Sequence, residues 1–126
     1  MNIQIFGKSK SFDTKKAERW FKERRIKYQY IDLVSKGVSP GEYRSIRAAV
    51  GSFDALVDKG CRAYEELYMA YITPQAAEEK LLDYPELFAA PIGRNGKQAT
   101  VGYHPEIWQT WDSGLSSVRR RRTDTF

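Results

Sequence analysis

The first 25 residues constrain the fold most, because they predict a strand, a short turn and a helix in direct succession. Residues 3–6 are a short apolar run typical of a buried strand, and the polar turn that follows begins with a glycine. Residues 14–25 predict a helix, since Ala17, Trp20 and Phe21 have the i, i+3, i+4 spacing of one helix face. The chain therefore begins with a β-strand joined tightly to an amphipathic helix.

Ser11 is the most informative residue of that turn. It lies just before the predicted helix, where the partial positive charge of a helix N-terminus lowers the pKa of a thiol and makes a cysteine nucleophilic. A hydroxyl at this place cannot perform redox chemistry. As a hydrolytic nucleophile Ser11 would need a base, and the single histidine, His104, has no acidic partner pattern that completes a triad. We therefore predict that Ser11, or equally Asp13, caps the helix.

The central segment predicts several short helices with recognisable starts. Ser39 followed by Pro40 predicts one such helix, and Thr73 followed by Pro74 predicts another. Between them, residues 63–71 predict a helix. Its tyrosines stand at helical spacing and are expected to lie in the core or at the interface of the helical segment: Tyr64, Tyr68 and Tyr71.

The C-terminal third predicts a hairpin and a closing helix. Asn95-Gly96 favours a two-residue turn because both positions tolerate positive φ, and the turn would join strands at 92–94 and 99–103. Pro105 can begin a last helix that runs to about residue 115. Its apolar side chains are expected to pack back on the sheet: Ile107, Trp108 and Trp111.

Composition bounds the class of protein. A chain of 126 residues with 41% hydrophobic residues predicts one soluble domain, for which we expect residues 1–118. No apolar run is long enough to span a membrane, and the N-terminus enters a strand at once, so we expect neither a membrane span nor a signal peptide. Cys61 is the single cysteine, which excludes an internal disulfide and favours the cytoplasm. The residues suggest no metal site and no cofactor.

The basic character of the chain is concentrated in its tail. The net charge is +5, but four of the 21 basic residues are Arg119–Arg122, and without them 17 basic residues stand against 16 acidic ones. Residues 119–126 are expected to form a solvated, disordered tail. Nucleic-acid contact by the arginines stays open, although no aromatic residues are interleaved with them for stacking.

Three stretches of sequence resemble one family. GKSKSFDTKKAERW at residues 7–20 resembles the N-terminal motif of the ArsC/Spx family, the glutaredoxin-type arsenate reductases and their regulatory relatives. Residues 26–32 resemble the family's second strand, and residues 90–102 its proline strand, Gly-Lys hairpin and closing strand. The resemblance covers about the first 105 residues. It implies an α/β, thioredoxin-like fold with a mixed sheet of about four strands and a helical insertion at about 36–88.

The chain departs from the family at the positions that carry arsenate reduction. Ser11 replaces the nucleophilic cysteine, and Ala90 replaces the arginine before the proline. The middle arginine falls at Gly60, although a small shift of the loop would bring Arg62 there. Thr14 stands where the Spx-like branch has a second cysteine. Because an arginine fork holds an oxyanion by two hydrogen bonds, its loss together with the thiol indicates abandoned chemistry. A laboratory Cys-to-Ser change would explain the serine alone.

The resemblance also implies where a degenerate site would lie. Pro91 would be a cis-proline facing the Ser11 loop. Backbone N–H groups at the helix start, with lysine charge around them, would still favour a weakly bound oxyanion. The candidate anion-binding residues are Lys8, Lys10, Ser11, Lys15 and Arg62. Cys61, next to Arg62, is the one candidate thiol.

These features favour a non-catalytic protein that acts as a binding or regulatory protein. By resemblance to Spx-like relatives, its partner would be RNA polymerase or another protein. Two alternatives stay open. The first is a thiol-dependent oxidoreductase or arsenate reductase of altered design that uses Cys61, and the second is a sensor of small oxyanions.

Overall fold

The computed structural model describes residues 3–116, which form four strands and six helices. In chain order the elements are β1 (Ile3–Gly7), α1 (Phe12–Glu23), β2 (Gln29–Asp32), α2 (Leu33–Lys36), α3 (Pro40–Val50), α4 (Arg62–Glu66), α5 (Pro74–Asp83), β3 (Ile92–Asn95), β4 (Gln98–Val101) and α6 (Pro105–Ser116). Single 3₁₀ turns at Asp54–Leu56, Met69–Tyr71 and Pro85–Leu87 follow α3, α4 and α5 respectively. The basic tail that we predict at 119–126 and the end of the 1–118 domain lie outside the described residues.

Within residues 3–116, four strands form one mixed sheet in the order β2-β1-β3-β4. β1 runs parallel to β2, with Gly7 opposite Asp32, and α1 supplies the crossover that a parallel pair requires. β3 runs antiparallel to both β1 and β4, and Phe6 stands opposite Ile92. The α/β class and the mixed sheet of four strands are confirmed.

One face of the sheet is covered by α1 and α6, the first and last helices. Alternation along β1 directs Ile3 and Ile5 to this side, because successive side chains of a strand point to opposite faces. The apolar stripe of α1 meets them, and α6 contributes Trp108 and Trp111, both buried. The predicted packing of the two tryptophans is therefore confirmed.

The opposite face is covered by the helices between β2 and β3. Phe6 and Ile92 point to this side and pack against the central helices. Ser39 and Glu42 form a reciprocal capping box that starts α3. The hydroxyl of Thr73 accepts from the N–H of Ala76 and starts α5. Both predicted helix starts are confirmed.

The predicted helix over residues 63–71 is wrong. α4 ends at Glu66, and Tyr68 has φ 54°, in the left-handed region. The break turns Met69 into the core, whereas a continuous helix would direct Tyr68 there. Tyr68 is 67% exposed and Tyr71 is 86% exposed, so their predicted core position is also wrong. Of the three tyrosines, Tyr64 packs against the core.

Three smaller predictions need correction. The second strand begins at Gln29 and not at residue 26, because Ile26 is used in the core beneath α1. The hairpin turn is Gly96 and Lys97, one residue later than predicted; Asn95 pairs with Gln98, and Gly96 takes the positive φ of 62°. Ile107 is 38% exposed, because the inward positions of α6 belong to the two tryptophans.

Candidate functional site

The Ser11 loop and Pro91 lie at the same edge of the sheet. β1 ends at this edge and β3 begins there, as the pairing of Phe6 with Ile92 shows. The Ala90–Pro91 peptide bond is cis, and the carbonyl of Pro91 accepts from the N–H of Gly102. The fold thus brings the family's nucleophile position and its proline to one edge.

Ser11 is the N-cap of α1. Its Oγ accepts a hydrogen bond from the N–H of Thr14 at 3.1 Å, and its backbone N–H donates to the carbonyl of Lys8 at 3.0 Å. This is the geometry in which a serine satisfies a free donor of the first helical turn. His104 supplies no base here, since its ring nitrogens lie 2.7 Å from the Val101 carbonyl and 3.1 Å from a Glu106 oxygen.

The turn before Ser11 is tightly packed. A Cβ atom at Gly7 would lie 2.4 Å from Thr14 Cγ2, so a side chain there would displace the start of α1. Thr14 is buried, and its Oγ1 accepts from the N–H of Lys8 at 3.3 Å. The position of the second cysteine in the Spx-like pattern is therefore a buried hydroxyl that stabilises the turn.

Lys8 is held by the central helical segment. Its Nζ lies 3.4 Å from Asp58 Oδ2 and donates to the carbonyl of Glu86 at 2.8 Å, with only 18% of the side chain exposed. The second oxygen of Asp58 accepts from the N–H of Gly60 at 3.0 Å, which fixes the carboxylate. A carboxylate thus stands beside a lysine that we predict to bind anions, and it lowers the positive potential there.

The sequence did not reveal Asp58 as part of this edge. Lys8 and Asp58 are 50 positions apart, and no local pattern connects them. The bridge of Val57 to Phe88 and the hydrogen bond from the N–H of Asp58 to the carbonyl of Leu87 fold the loop back to this edge. This contact could have been found only from the same ion pair in a related structure or from a predicted contact between the two residues.

The other candidate anion-binding residues lie on the surface. Lys10, Lys15 and Arg62 are exposed, and none of them forms an ion pair within residues 3–116. Arg62 is the first residue of α4. Ala90 packs against the core of the central helices, and its methyl group supplies no donor to an oxyanion.

Cys61 lies at the N-cap position of α4. It is half-buried, packs against the core of the central helices and makes no side-chain capping bond. Its backbone N–H donates to the carbonyl of Asp58, which places both residues in one tight turn. Asp58 in turn contacts Lys8, so the loop of Cys61 and the Ser11 loop are joined by that ion pair.

Within residues 3–116, the His, Cys, Asp and Glu side chains form no cluster of three suited to a metal ion. The helices of these residues are all too short or too polar to cross a bilayer.

Comparison with solved structures identifies the fold. Arsenate reductase from Vibrio cholerae superposes with a TM-score of 0.77 at 20% identity, over 87% of this chain and 97% of that one. An arsenate reductase (ArsC) related protein from Brucella melitensis gives 0.65 at 18% identity, over 89% and 95% of the two chains. A protein from Staphylococcus aureus gives 0.70 at 21% identity, over 86% and 96%.

The chain therefore has the thioredoxin-like fold of the ArsC proteins, and it spans nearly the full length of these structures. No family model matches the sequence, and no curated protein matches it either. At identities near 20% the likeness is one of fold.

Proposed function

We propose that this chain is a non-catalytic protein of ArsC-type fold that acts by binding a partner, as a regulatory or assembly protein. The ion pair between Lys8 and Asp58 carries the proposal, because it places a fixed carboxylate at the edge where an oxyanion would have to bind. The carboxylate neutralises the charge of Lys8, so an anion at this edge gains less Coulomb energy than the lysine alone would give it.

The residues at Ser11, Ala90 and Gly60 support the same conclusion. Thiol-dependent reduction of arsenate needs a thiolate to attack and arginine forks to hold the oxyanion while charge develops. The hydroxyl of Ser11 is instead a helix cap, Ala90 packs against the core and Gly60 is exposed. None of the three side chains supplies a group for that chemistry.

The resemblance to Spx-like relatives suggests what such a partner would be. Its proposed class is a protein, with RNA polymerase as the first to be tested, in the cytoplasm. The fold supports the proposal because the backbone at the Ser11 edge has the arrangement of the ArsC-type fold, whereas the side chains there stabilise the fold.

Arsenate reduction coupled to glutathione with glutaredoxin, and separately to thioredoxin, tests the proposal. We expect no turnover by the native chain and little by Ser11→Cys, since the anion clamp is still missing. Ser11→Ala is the matched control, because it removes the same cap without adding a thiol.

Two results would contradict the proposal. Turnover by the native chain that disappears in Cys61→Ala would identify Cys61 as the working thiol. Substantial turnover restored by Ser11→Cys alone would show that the edge still binds arsenate productively.

A further inference from the structure

A second surface of the molecule, on the outer side of α1, has features that neither helix packing nor the Ser11 edge explains. A groove of about 170 Å³ lies between α1 and the segment after β4. Its walls combine two cations, two aromatic rings and one carboxylate: Lys16, Arg19, Trp20, Glu23 and Tyr103. We call these residues the α1 groove.

Cations already lie over the aromatic rings of this surface. Lys16 Nζ lies 4.9 Å from the centroid of the Tyr103 ring, and the guanidinium of Arg24 lies 4.2 Å from that of Trp20. Trp20 is buried and forms the floor, whereas Tyr103 is half-buried and leaves part of its ring accessible. The accessible ring and the neighbouring cations suit a flat, anionic ligand.

Phe12, the first residue of α1, lies outside the lining of the α1 groove but one helical turn before Lys16. It is 81% exposed, so its ring is free to contact a ligand. Phe12, Lys16 and Arg19 follow i, i+4, i+7 spacing and so lie on one side of α1. An exposed aromatic ring therefore stands in line with the cations.

The charge around the groove is segregated. Residues 12–27 contain seven basic and three acidic residues, whereas residues 37–90 contain five basic and nine acidic ones. Lys15, Arg19 and Lys22 project from the outer face of α1 at i, i+4, i+7, and none has an ion-pair partner in the described part of the chain. A polyanion would be attracted to α1 and repelled by the central helices.

We propose that the α1 groove binds single-stranded nucleic acid. One base enters the groove and stacks on Tyr103, a second stacks on Phe12, and the backbone phosphates contact Lys15, Arg19 and Lys22. Lys16 leaves the Tyr103 ring and pairs with a phosphate. Glu23 accepts from an exocyclic amino group of the enclosed base, as carboxylates do with cytosine N4.

The size and composition of the groove favour this ligand over other polyanions. The groove, of about 170 Å³, is small, and a single strand can place an unpaired base against its ring, whereas the bases of a duplex are already paired and stacked on one another. The carboxylates of an acidic polypeptide would pair with the lysines but, unlike bases, would not stack on the rings of Phe12 and Tyr103. Stacking on aromatic rings beside a cationic track is how single strands are bound without strict sequence preference.

Fluorescence anisotropy of a labelled oligodeoxycytidine of about 15 nucleotides tests the proposal on the full chain. K16E/R19E should weaken binding at least about tenfold and lower the salt dependence, whose log–log slope we expect at about −2 to −3 for three to four phosphate contacts. Phe12→Ala should weaken binding about fivefold or more. Phe12 is so exposed that its loss leaves the fold intact, which circular dichroism melting verifies.

Matched controls separate the groove from general charge. R44E/K97E makes the same change in net charge at exposed positions away from α1 and should alter affinity less than about twofold. R119S/R120S/R121S/R122S removes the tail charge and should leave the ratio between native and Phe12→Ala affinities unchanged. If the strand binds in the α1 groove, both control variants must give these results.

Several outcomes would overturn the proposal. The first is binding of a duplex or of polyglutamate as tight as, or tighter than, binding of the single strand. The second is an equal loss of affinity in R44E/K97E and K16E/R19E, or an unchanged affinity in Phe12→Ala. The third is binding that is lost with the tail arginines but kept in K16E/R19E. Cytidine monophosphate bound as tightly as the strand would identify a free-nucleotide site instead.

Discussion

The two faces of the sheet are covered by different types of side chain. The face under α1 and α6 is a compact group of large rings: Trp108 lies 5.1 Å from Phe21, 5.6 Å from Trp20 and 5.5 Å from Tyr103 between ring centroids. The face under the central helices is mostly aliphatic, with Ile46, Leu56 and Leu81 among its fully buried residues. One face depends on a few large side chains and the other on many smaller ones.

The two faces are also held together by different interactions. The aromatic face joins the start and the end of the chain, and a buried hydrogen bond from Trp108 Nε1 to Thr100 Oγ1, at 2.9 Å, fixes α6 on the sheet. The central face is covered by short helices, two of which begin with Ser or Thr side-chain caps. We therefore expect the aromatic face to unfold cooperatively and the central face to unfold in more local steps.

Trp108→Ala should have the largest effect. It removes a fully buried ring with contacts to three others and leaves the hydroxyl of Thr100 without its donor, so we expect a loss of about 3–5 kcal/mol in the free energy of unfolding. Urea denaturation measures it. Ile46→Ala, on the central face, should cost about 2–4 kcal/mol, and Ile107→Ala is the exposed control on α6. A larger loss for Ile46→Ala than for Trp108→Ala would reverse the comparison.

The helix caps test whether local stability is equal on the two sides. Ser11→Ala removes the cap of α1 and Ser39→Ala the cap of α3, and each should cost about 1 kcal/mol. Asparagine at either position keeps an accepting oxygen and should restore most of the loss. Thermal unfolding of the four variants measures this. If Ser11→Ala costs nothing, Ser11 is not needed for the fold and its hydroxyl is free for another role.

Each face has one tyrosine that donates to a glutamate, which provides a matched pH experiment. Tyr28 Oη donates to Glu18 at 2.8 Å, and Tyr43 Oη donates to Glu78 at 2.9 Å. Burial first, and then the hydrogen bond to the carboxylate, raise the pKa of both phenols above their ordinary value of 10.0. Only the unfolded state then ionises near pH 10. The stabilisation is thus complete below pH 10 and is lost as the pH rises further.

Tyr28→Phe and Tyr43→Phe should each flatten this alkaline loss of stability and cost about 1 kcal/mol at pH 7. Unfolding free energies measured at intervals from pH 7 to about pH 11 would give both quantities. An alkaline slope that both variants share with the native protein would show that other groups cause it.

The smallest expected effect concerns Asp58, at the edge that joins the two faces. The native chain should bind sulfate or arsenate at the Ser11 loop no more tightly than about millimolar, because no arginine fork contributes. Asp58→Asn removes the negative charge beside Lys8 and should strengthen binding, at a stability cost below about 1 kcal/mol. Amide NMR shifts of residues 11–16 measure the affinity, and Asp54→Asn is the control. Shifts that stay unchanged in both proteins would exclude the anion site.

The opening strand, the cap at Ser11 and the stripe of α1 could be predicted from sequence because each depends on neighbours within one helical turn. The same holds for the caps of α3 and α5 and for the inward tryptophans of α6. Residues 63–71 show the limit of that reasoning. Their tyrosines have good helical spacing, yet burying Met69 requires the chain to turn at Tyr68.

The candidate surfaces were decided by tertiary structure. The carboxylate of Asp58 reaches Lys8 only because the loop folds back along Leu87 and Phe88, and Tyr103 reaches α1 only because β4 ends beside it. The sequence by itself determined which segments become strands and capped helices, since those preferences are local. Pairing across 50 or more positions depends on which compact arrangement buries the most apolar surface, and no local pattern encodes that choice.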